Sequence, residues 1–202
     1  MEKAAFLRSV DSRTENLKPR LPNVLDLCRE HFADVRLVHR LDYDTSGLML
    51  LARTKTAQRE LNRQFQQRSV AKEYEAIALG HVAQIHGRIE LPIAKDWPNR
   101  PRQKIDFKRG KQAVTDYAVL KRYVSRTDNT PISRLRLYPI TGRSHQLRIH
   151  LRSMGHPLAG CDLYGNRASY TLSERLLLHA SKLTFSHPVS AERVTFESIV
   201  PF

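Results

Sequence analysis

Several short stretches of this chain alternate apolar with polar residues, which is the pattern of strands that bury one face. Strand character is found over 48–52, 73–79, 88–93, 113–120, 132–138, 176–185 and 193–199. Helical spacing of apolar residues is found over 22–32, 56–67 and 141–155. Because strands outnumber helices and the two do not alternate regularly, the pattern predicts an α+β fold with a mixed, mainly antiparallel sheet flanked by helices and loops.

Residues with strong capping preferences mark the ends of two of these helices. Thr54 or Thr56 caps the second helix, and Thr141 or Ser144 begins the third. Gly155 suits the left-handed residue that ends a helix, and a proline follows soon after it. The third helix is therefore predicted to begin close to the Thr-Gly-Arg sequence that precedes it.

The balance of charge is the most unusual property of the composition. Lys and Arg number 34 against 20 Asp and Glu, which gives a formal net charge of +14. Such an excess attracts polyanions, either nucleic acid or an anionic membrane surface, and in a chain of this size it favours a nucleic-acid partner. No apolar run approaches the ~18 residues of a membrane-spanning helix, and the N-terminus lacks the apolar core of a signal peptide.

Length and cysteine content narrow the possibilities further. The 202 residues suffice for one sizeable core, which we place in a single domain over 21–202, after a polar and poorly defined segment over 1–20. Cys28 and Cys161 stand alone, which predicts reduced thiols and a cytoplasmic protein. The histidines include no pair four residues apart, so no metal site is expected.

A charged loop precedes the apolar stretch 48–52 and contains two candidate acids. Asp42 follows the basic pair His39 and Arg40, so its carboxylate is expected to stay ionised and able to act as a nucleophile or base. A structural salt bridge is an equally good interpretation of the same residues. Asp44 begins an Asp-Thr-Ser-Gly turn, where an aspartate most often bonds its own backbone. We therefore assign chemistry to Asp42 and turn formation to Asp44.

Basic residues collect on three further segments that suit contact with phosphates. Arg59 and Arg63 share one face of the second helix, although such a face is more often merely solvated. The segment 95–104 combines aromatic and basic side chains, notably Trp97, Arg100 and Arg102. Trp97 covering the edge of the core is an equally good interpretation. Arg148 and Arg152 lie together on the third helix and extend the predicted basic surface.

Five segments of the chain together resemble the RluA family of pseudouridine synthases. Residues 39–47, His-Arg-Leu-Asp-Tyr-Asp-Thr-Ser-Gly, resemble its signature sequence. Further agreement lies in Lys-Glu-Tyr at 72–74, in Thr-Gly-Arg-Ser-His-Gln-Leu-Arg at 141–148, and in the two blocks 176–180 and 185–188. The Asp-Trp-Pro-Asn-Arg-Pro loop at 96–101 resembles the RluA-type subgroup in particular.

This resemblance implies the pseudouridine synthase fold and an RNA-modifying isomerase without a metal or organic cofactor. Asp42 would attack C1′ of the target uridine or remove a proton from C2′, and the sequence does not choose between these routes. Tyr74 would stack on the uracil and act as, or position, a base for the C5 proton. Arg143 would pair with Asp42 and keep it ionised, while Arg40, beside His39, would fill the gap left by the flipped base.

The resemblance also implies substrates of two kinds, a large-subunit ribosomal RNA hairpin and a tRNA anticodon stem-loop. The chain differs from the family pattern near its N-terminus, where Lys18-Pro19 lacks the glycine and the preceding strand that the family normally carries. We therefore expect a start that is short of one strand, with an exposed sheet edge. The alternative to an enzyme is a non-catalytic RNA-binding protein on the same fold, impaired by that missing strand. In either case a monomer is expected.

Overall fold

The computed structural model describes residues 23–125 and 128–202. Within them the helices are α1 (Val24–Arg29), α2 (Lys55–Gln66), α3 (Gln146–Ser153) and α4 (Arg167–Thr171). The strands are β1 (Arg36–Leu37), β2 (Ser46–Gly47), β3 (Leu51–Ala52), β4 (Ala71–Leu79), β5 (His86–Glu90), β6 (Ile93–Lys95), β7 (Gln103–Ile105), β8 (Val114–Val124), β9 (Pro131–Pro139), β10 (Leu178–Ser186) and β11 (Arg193–Glu197).

Most of these strands join one seven-stranded sheet. Its strands follow the order β11-β10-β4-β9-β8-β5, and every neighbouring pair along this path is antiparallel. The short strand β2 lies beside β10 and runs parallel to it. Two smaller ladders, β1 with β3 and β6 with β7, stand apart from the main sheet. The mixed, mainly antiparallel sheet with few helices confirms the predicted α+β class.

The main core lies between one face of the sheet and helix α3. Alternate residues of β4 and β9 point into it, because side chains alternate between the two faces of a strand. Its buried members include Ala76, Ala78, Leu135, Leu137, Leu147 and Leu151. Each fully buried leucine contributes roughly 1.5–3 kcal/mol relative to an exposed one. This core holds α3 across the centre of the sheet, and so brings the start of α3 towards β4.

Helix α2 covers the far end of β10 and forms a second cluster. Leu61 is almost fully buried and packs with Leu183 and Phe185, as the helical spacing of its apolar residues predicts. The helix begins at Thr54, whose side chain accepts a hydrogen bond from the Ala57 N–H at 3.1 Å. Of the two predicted caps, Thr54 is therefore the one used.

Two predicted strands are shorter or divided in the structure. The expected strand over 48–52 keeps only Leu51–Ala52, which pairs with β1. The Leu48 N–H donates instead to the Ala180 carbonyl of β10, and the Leu50 N–H donates to the His39 side chain. The expected strand over 88–93 is split into β5 and β6 around Pro92. Proline has no N–H to donate to a ladder, so a strand ends or changes partner there.

Two predicted helices also begin or end elsewhere. The helix expected over 22–32 comprises only Val24–Arg29, is capped by the Asn23 side chain, and buries none of its residues. The third helix begins at Gln146, later than either Thr141 or Ser144. His145 precedes it with φ 55° and ψ 19°, a left-handed conformation that cannot belong to an α-helix.

The expectations about the N-terminus fall outside the described residues. The segment 1–20, the Lys18-Pro19 departure and the missing strand therefore stay sequence predictions. Within 23–125 and 128–202, no helix is both long enough and apolar enough to cross a membrane.

Candidate active site

The loop that carries Asp42 is tied to strand β10 by backbone and side-chain contacts. The Thr45 N–H donates to the Asp42 carbonyl at 3.0 Å, which closes a tight turn. The next residue, Ser46, pairs with β10, and its Oγ lies 2.9 Å from Nδ1 of His179. The same Oγ accepts a hydrogen bond from the Arg175 guanidinium at 2.7 Å. Asp42 therefore stands on a loop held at its far end by the main sheet.

Gly47 makes this close approach possible. Its φ is +109°, a region that residues with a side chain rarely adopt. A Cβ at this position would lie 2.3 Å from the carbonyl oxygen of Ala180, which is backbone and cannot swing away. The glycine of the Thr-Ser-Gly turn is thus required by the contact between the loop and β10.

The carboxylate of Asp42 lies among side chains that come from β4, α3 and the segment that follows α3. Its charge acts on Tyr74, His145, Arg148 and Tyr164. Burial, and after it the Asp42 charge, raise the pKa of Tyr74 well above its ordinary value. The structure thus brings together Asp42 and Tyr74, two of the three residues expected to be catalytic, and the Tyr74 hydroxyl stays protonated near neutral pH.

The expected ion pair between Arg143 and Asp42 is not formed among the described residues. Arg143 donates from Nε to the carbonyl oxygen of Gln112 at 3.0 Å instead. Its backbone N–H donates to the Gln146 side chain at 3.0 Å, which closes the turn before α3. This turn aims the guanidinium at the start of β8, so the prediction of a preformed Arg143–Asp42 pair is wrong for this structure.

The expectation that Arg148 lies on the RNA-facing surface is also wrong. Its side chain is only 1% exposed, and the guanidinium donates to the Asp162 carboxylate and the Cys161 sulfur. Helical spacing placed Arg148 beside Arg152, but the face of α3 that carries it is covered by the segment that follows the helix. A buried, paired guanidinium cannot reach a phosphate without breaking these contacts.

His39 and Arg40 are adjacent but have different surroundings. His39 stacks on Phe65 with ring centroids 4.8 Å apart, and its Nε2 accepts the Leu50 N–H at 2.8 Å. Burial, and then the nearby Lys72 charge, lower the pKa of His39 to about 4. Direct RNA contact by His39 is contradicted by these internal contacts, whereas Arg40 is exposed next to Asp42.

Three residues beside the site were not predicted to be functional. They are Lys72, His145 and Tyr164. Burial lowers the pKa of Lys72, whose Nζ lies 3.7 Å from where a Cβ on Gly142 would stand. Lys72 and His145 belong to sequence segments already singled out, but their proximity to the site depends on how distant strands pair. Tyr164 carried no sequence signal of its own.

The two arginines predicted on α2 are both exposed but differ in their partners. Arg63 pairs with Glu60 at 2.6 Å, with a further hydrogen bond to Gln67 at 2.8 Å. Among residues 23–125 and 128–202, the arginine of α2 that forms an ion pair is Arg63, with Glu60, and Arg59 forms none. Of the two arginines, only Arg59 therefore carries a charge that no described carboxylate pairs with.

The hairpin formed by β6 and β7 presents an aromatic and basic tip. Trp97 is 58% exposed, so it does not cover the core. The Arg100 guanidinium stands 3.9 Å from the centre of the Trp97 ring, and Lys95 lies 5.2 Å from the same ring. Arg102 is exposed on the same hairpin. This combination offers both a flat stacking surface and positive charge.

Thr45 contributes one more polar atom beside the Asp42 turn. Its hydroxyl is buried and, within the described part of the chain, is the single buried side-chain oxygen or nitrogen without a hydrogen-bond partner. Buried polar groups in folded proteins are usually satisfied, so an unpaired hydroxyl in the turn that carries Asp42 is available to a bound ligand.

Taken together, the fold, the site and the basic surface favour an enzyme that acts on a polyanion. The Asp42 carboxylate acts on the partly buried Tyr74 of the antiparallel sheet, and Arg40 is exposed next to Asp42. Residues 10–153 match the model of the RNA pseudouridylate synthase family, and the chain belongs to that family. It is therefore an isomerase that modifies RNA.

Individual relatives agree with this assignment. The dual-specificity RNA pseudouridine synthase RluA of Pasteurella multocida is 47% identical over 170 residues, which are 84% of this chain and 75% of that protein. The protein of the same name from Escherichia coli K12 is 42% identical over all 202 residues and 89% of its own length. A human protein, RNA pseudouridylate synthase domain containing 1, has a similar structure, with a TM-score of 0.79 and 30% identity over the whole of this chain and 87% of that one.

Proposed function

We propose that this protein converts a specific uridine of structured RNA to pseudouridine, in large-subunit ribosomal RNA, in a tRNA anticodon stem-loop, or in both. The observation that carries the proposal is the convergence of Asp42 and Tyr74 at one end of the loop anchored on β10. Support for two kinds of RNA comes from relatives named dual-specificity enzymes. A protein that only binds RNA would have no use for a carboxylate beside a partly buried tyrosine.

In the proposed reaction Asp42 starts the chemistry. Its carboxylate attacks C1′ of the flipped nucleotide or takes a proton from C2′, and the bond from C1′ to N1 of the uracil breaks. The uracil turns in the site and C5 joins C1′, while the bond from Asp42 to C1′ breaks or, on the other route, the proton returns from Asp42 to C2′. The C5 proton then leaves and N1 gains a proton. Atoms and charge balance without a co-reactant, so the proposal includes no metal or organic cofactor, and product formation should survive EDTA.

Tyr74 supports the uracil in this scheme. Its ring stacks on the base, and its hydroxyl positions a base for the C5 proton, since the raised pKa of Tyr74 opposes a phenolate at neutral pH. Arg143 stands near the mouth of the site and is free to turn towards Asp42 when RNA binds, at the cost of its hydrogen bond to the Gln112 carbonyl.

Exposed cations hold the RNA on either side of the flipped base. Arg40 stacks in the gap that the base leaves, where a planar guanidinium offsets part of a cost of a few kcal/mol. Arg59, Arg63, Arg100 and Arg102 contact phosphates, and Trp97 stacks on an unpaired base. We further propose that the protein acts as a monomer in the cytoplasm, where its two free cysteines stay reduced.

The test is site-specific mapping of the product. The protein is incubated with ribosomal RNA and tRNA transcripts, and pseudouridine is located by carbodiimide treatment and primer extension. Wild type should produce a new stop and Asp42→Asn should not, although the two side chains are nearly the same size. Asp34→Asn is the matched control, because Asp34 is an exposed aspartate outside the site.

Two outcomes would contradict the proposal. Absence of any stop with folded wild type would favour the non-catalytic RNA-binding alternative. A stop that persists in Asp42→Asn would remove Asp42 from the chemistry.

A further inference from the structure

Two consecutive hydrogen bonds connect the β6–β7 hairpin to the neighbourhood of Asp42. The backbone N–H of Gln103, the first residue of β7, lies 2.7 Å from the Tyr164 hydroxyl. The same hydroxyl lies 2.7 Å from Nδ1 of His145. Tyr164 is 3% exposed, so water does not compete for these bonds. The charge of Asp42 acts on both rings.

The direction of the first bond follows from its donor, and that of the second is assigned from the partners present. A backbone N–H can only donate, so the Tyr164 oxygen accepts from Gln103. Among the described residues His145 is the other hydrogen-bond partner of this hydroxyl, so we assign the Tyr164 hydrogen to Nδ1 of His145. Nδ1 of His145 is then an acceptor, and a neutral imidazole carries its proton on Nε2. No described residue accepts a hydrogen bond from that Nε2. The relay therefore leaves one N–H of His145 available beside Asp42.

The backbone of His145 is strained in a way that capping does not explain. His145 has φ 55° at the N-cap of α3 and makes no side-chain cap. Residues other than glycine avoid this conformation, and such strain is concentrated at functional positions. The contact that holds His145 there is its ring against Tyr164, at 5.5 Å and nearly perpendicular.

We propose that Tyr164 is a positioning residue for the reaction. It holds His145 as the neutral tautomer with its proton on Nε2, and so directs that N–H towards the nucleotide at Asp42. Because Tyr164 also bonds to the backbone of the hairpin, binding of the 96–102 segment to RNA affects the position of His145. This inference rests on the proposed function. It deepens the proposed function by connecting the hairpin proposed to contact RNA to the reaction centre through a buried tyrosine that is hydrogen-bonded to both the hairpin backbone and His145.

Charges around His145 predict how the relay depends on pH. Burial lowers the pKa of His145, and Arg148 and Arg40 lower it further, whereas Asp42 and Asp162 raise it. Removing the Tyr164 hydroxyl takes away a donor that only the neutral ring can accept. In Tyr164→Phe the pKa of His145 therefore rises, and the ring becomes charged at a higher pH than in wild type.

Two measurements test the proposal. In wild type, ¹⁵N NMR of the imidazoles should show His145 neutral with its proton on Nε2, and this result does not depend on activity. In Tyr164→Phe, the single-turnover rate constant at pH 7 and saturating enzyme should fall about tenfold, which is the loss expected of one hydrogen bond in a buried network. The enzyme concentration that gives half of this rate should change less than about twofold. The rate of the variant should fall further between about pH 7 and pH 5.5, where wild type changes less.

The matched control is Tyr170→Phe, the same change on an exposed tyrosine of α4. It should match wild type in rate and in pH profile. A His145 protonated on Nδ1 in wild type would overturn the relay, even if Tyr164→Phe failed to fold. So would a Tyr164→Phe variant with the wild-type pH profile. Failure of the proposed function itself would look different, because wild type would then form no pseudouridine while the NMR result stood.

Discussion

At the scale of single residues, burial sets the protonation states beside Asp42. The pKa of Tyr74 is raised by burial first and by the Asp42 charge second. We predict that single-turnover rates do not rise between about pH 8 and pH 9.5, because the phenolate is not formed there. A rise that Tyr74→Phe abolishes would show instead that the ionised tyrosine is the base. RNA affinity of Tyr74→Phe should stay close to wild type, since the ring is kept.

The lowered pKa of His39 makes the free energy of unfolding depend on pH. This pKa is lowered to about 4 in the folded protein, against about 6.5 when unfolded, so the unfolded chain binds a proton first as pH falls. Stability is therefore fully present above about pH 6.5 and is lost between there and about pH 4. The loss attributable to His39 amounts to at most about 3.4 kcal/mol.

Urea unfolding of wild type and His39→Gln at pH 7 and pH 4.5 measures this effect. The glutamine oxygen can still accept the Leu50 N–H, so the variant keeps that bond but cannot titrate. We expect the variant to lose less stability than wild type on acidification. If wild type and His39→Gln lost the same free energy of unfolding on acidification, other histidines would be responsible. His145, His150 and His179 also have lowered pKa values.

At the scale of elements, the contact between β2 and β10 decides whether the loop that carries Asp42 is held. Gly47→Ala combines an unfavourable φ with a Cβ against the Ala180 backbone. We predict a loss of roughly 2–5 kcal/mol in the free energy of unfolding and a loss of activity.

Gly155→Ala is the matched control for this substitution. Gly155 also has positive φ, at +84°, but a Cβ there meets nothing within 4 Å. The control should lose only about 1–2 kcal/mol and keep its activity. Equal effects in urea unfolding would show that backbone conformation alone, and not the approach to β10, requires glycine at position 47.

The start of α3 shows why element boundaries were harder to predict than elements. Thr141 and Ser144 are both good caps by residue type, but the Thr141 hydroxyl is used by the Val114 N–H and by the Gln146 side chain. Gln146 bonds at the same time to the Val114 carbonyl and the Thr115 hydroxyl. These partners come from β8, some thirty positions earlier, so no local rule could have placed the helix start.

At the scale of the whole molecule, the net charge of +14 predicts binding to RNA that weakens with salt. Arg59 and Arg63 lie on one helix, but only Arg63 is paired, with Glu60. We predict that Arg59→Gln makes the plot of the logarithm of the RNA association constant against the logarithm of salt concentration less steep. The slope should become less negative by about 0.7–0.9, the value for one phosphate contact. Arg63→Gln should change the slope less, because Glu60 already offsets the charge of Arg63.

Filter binding at several salt concentrations measures both slopes. The two variants differ by a single helical turn and share the same chemical change, so each controls for the other. Equal slopes for wild type and Arg59→Gln would show that bound RNA does not contact Arg59 on α2.

The sequence by itself determined the class of fold and the motifs, and it predicts chemistry for Asp42 rather than for Asp44. These depend on strand periodicity and on residues that are close together along the chain. Only the tertiary structure decided that Arg148 is buried, that Arg143 turns to Gln112, and that Tyr164 reaches the site. The physical reason is separation: the bond from Ser46 to His179 spans 133 positions, and such contacts depend on strand register and packing that no local pattern encodes.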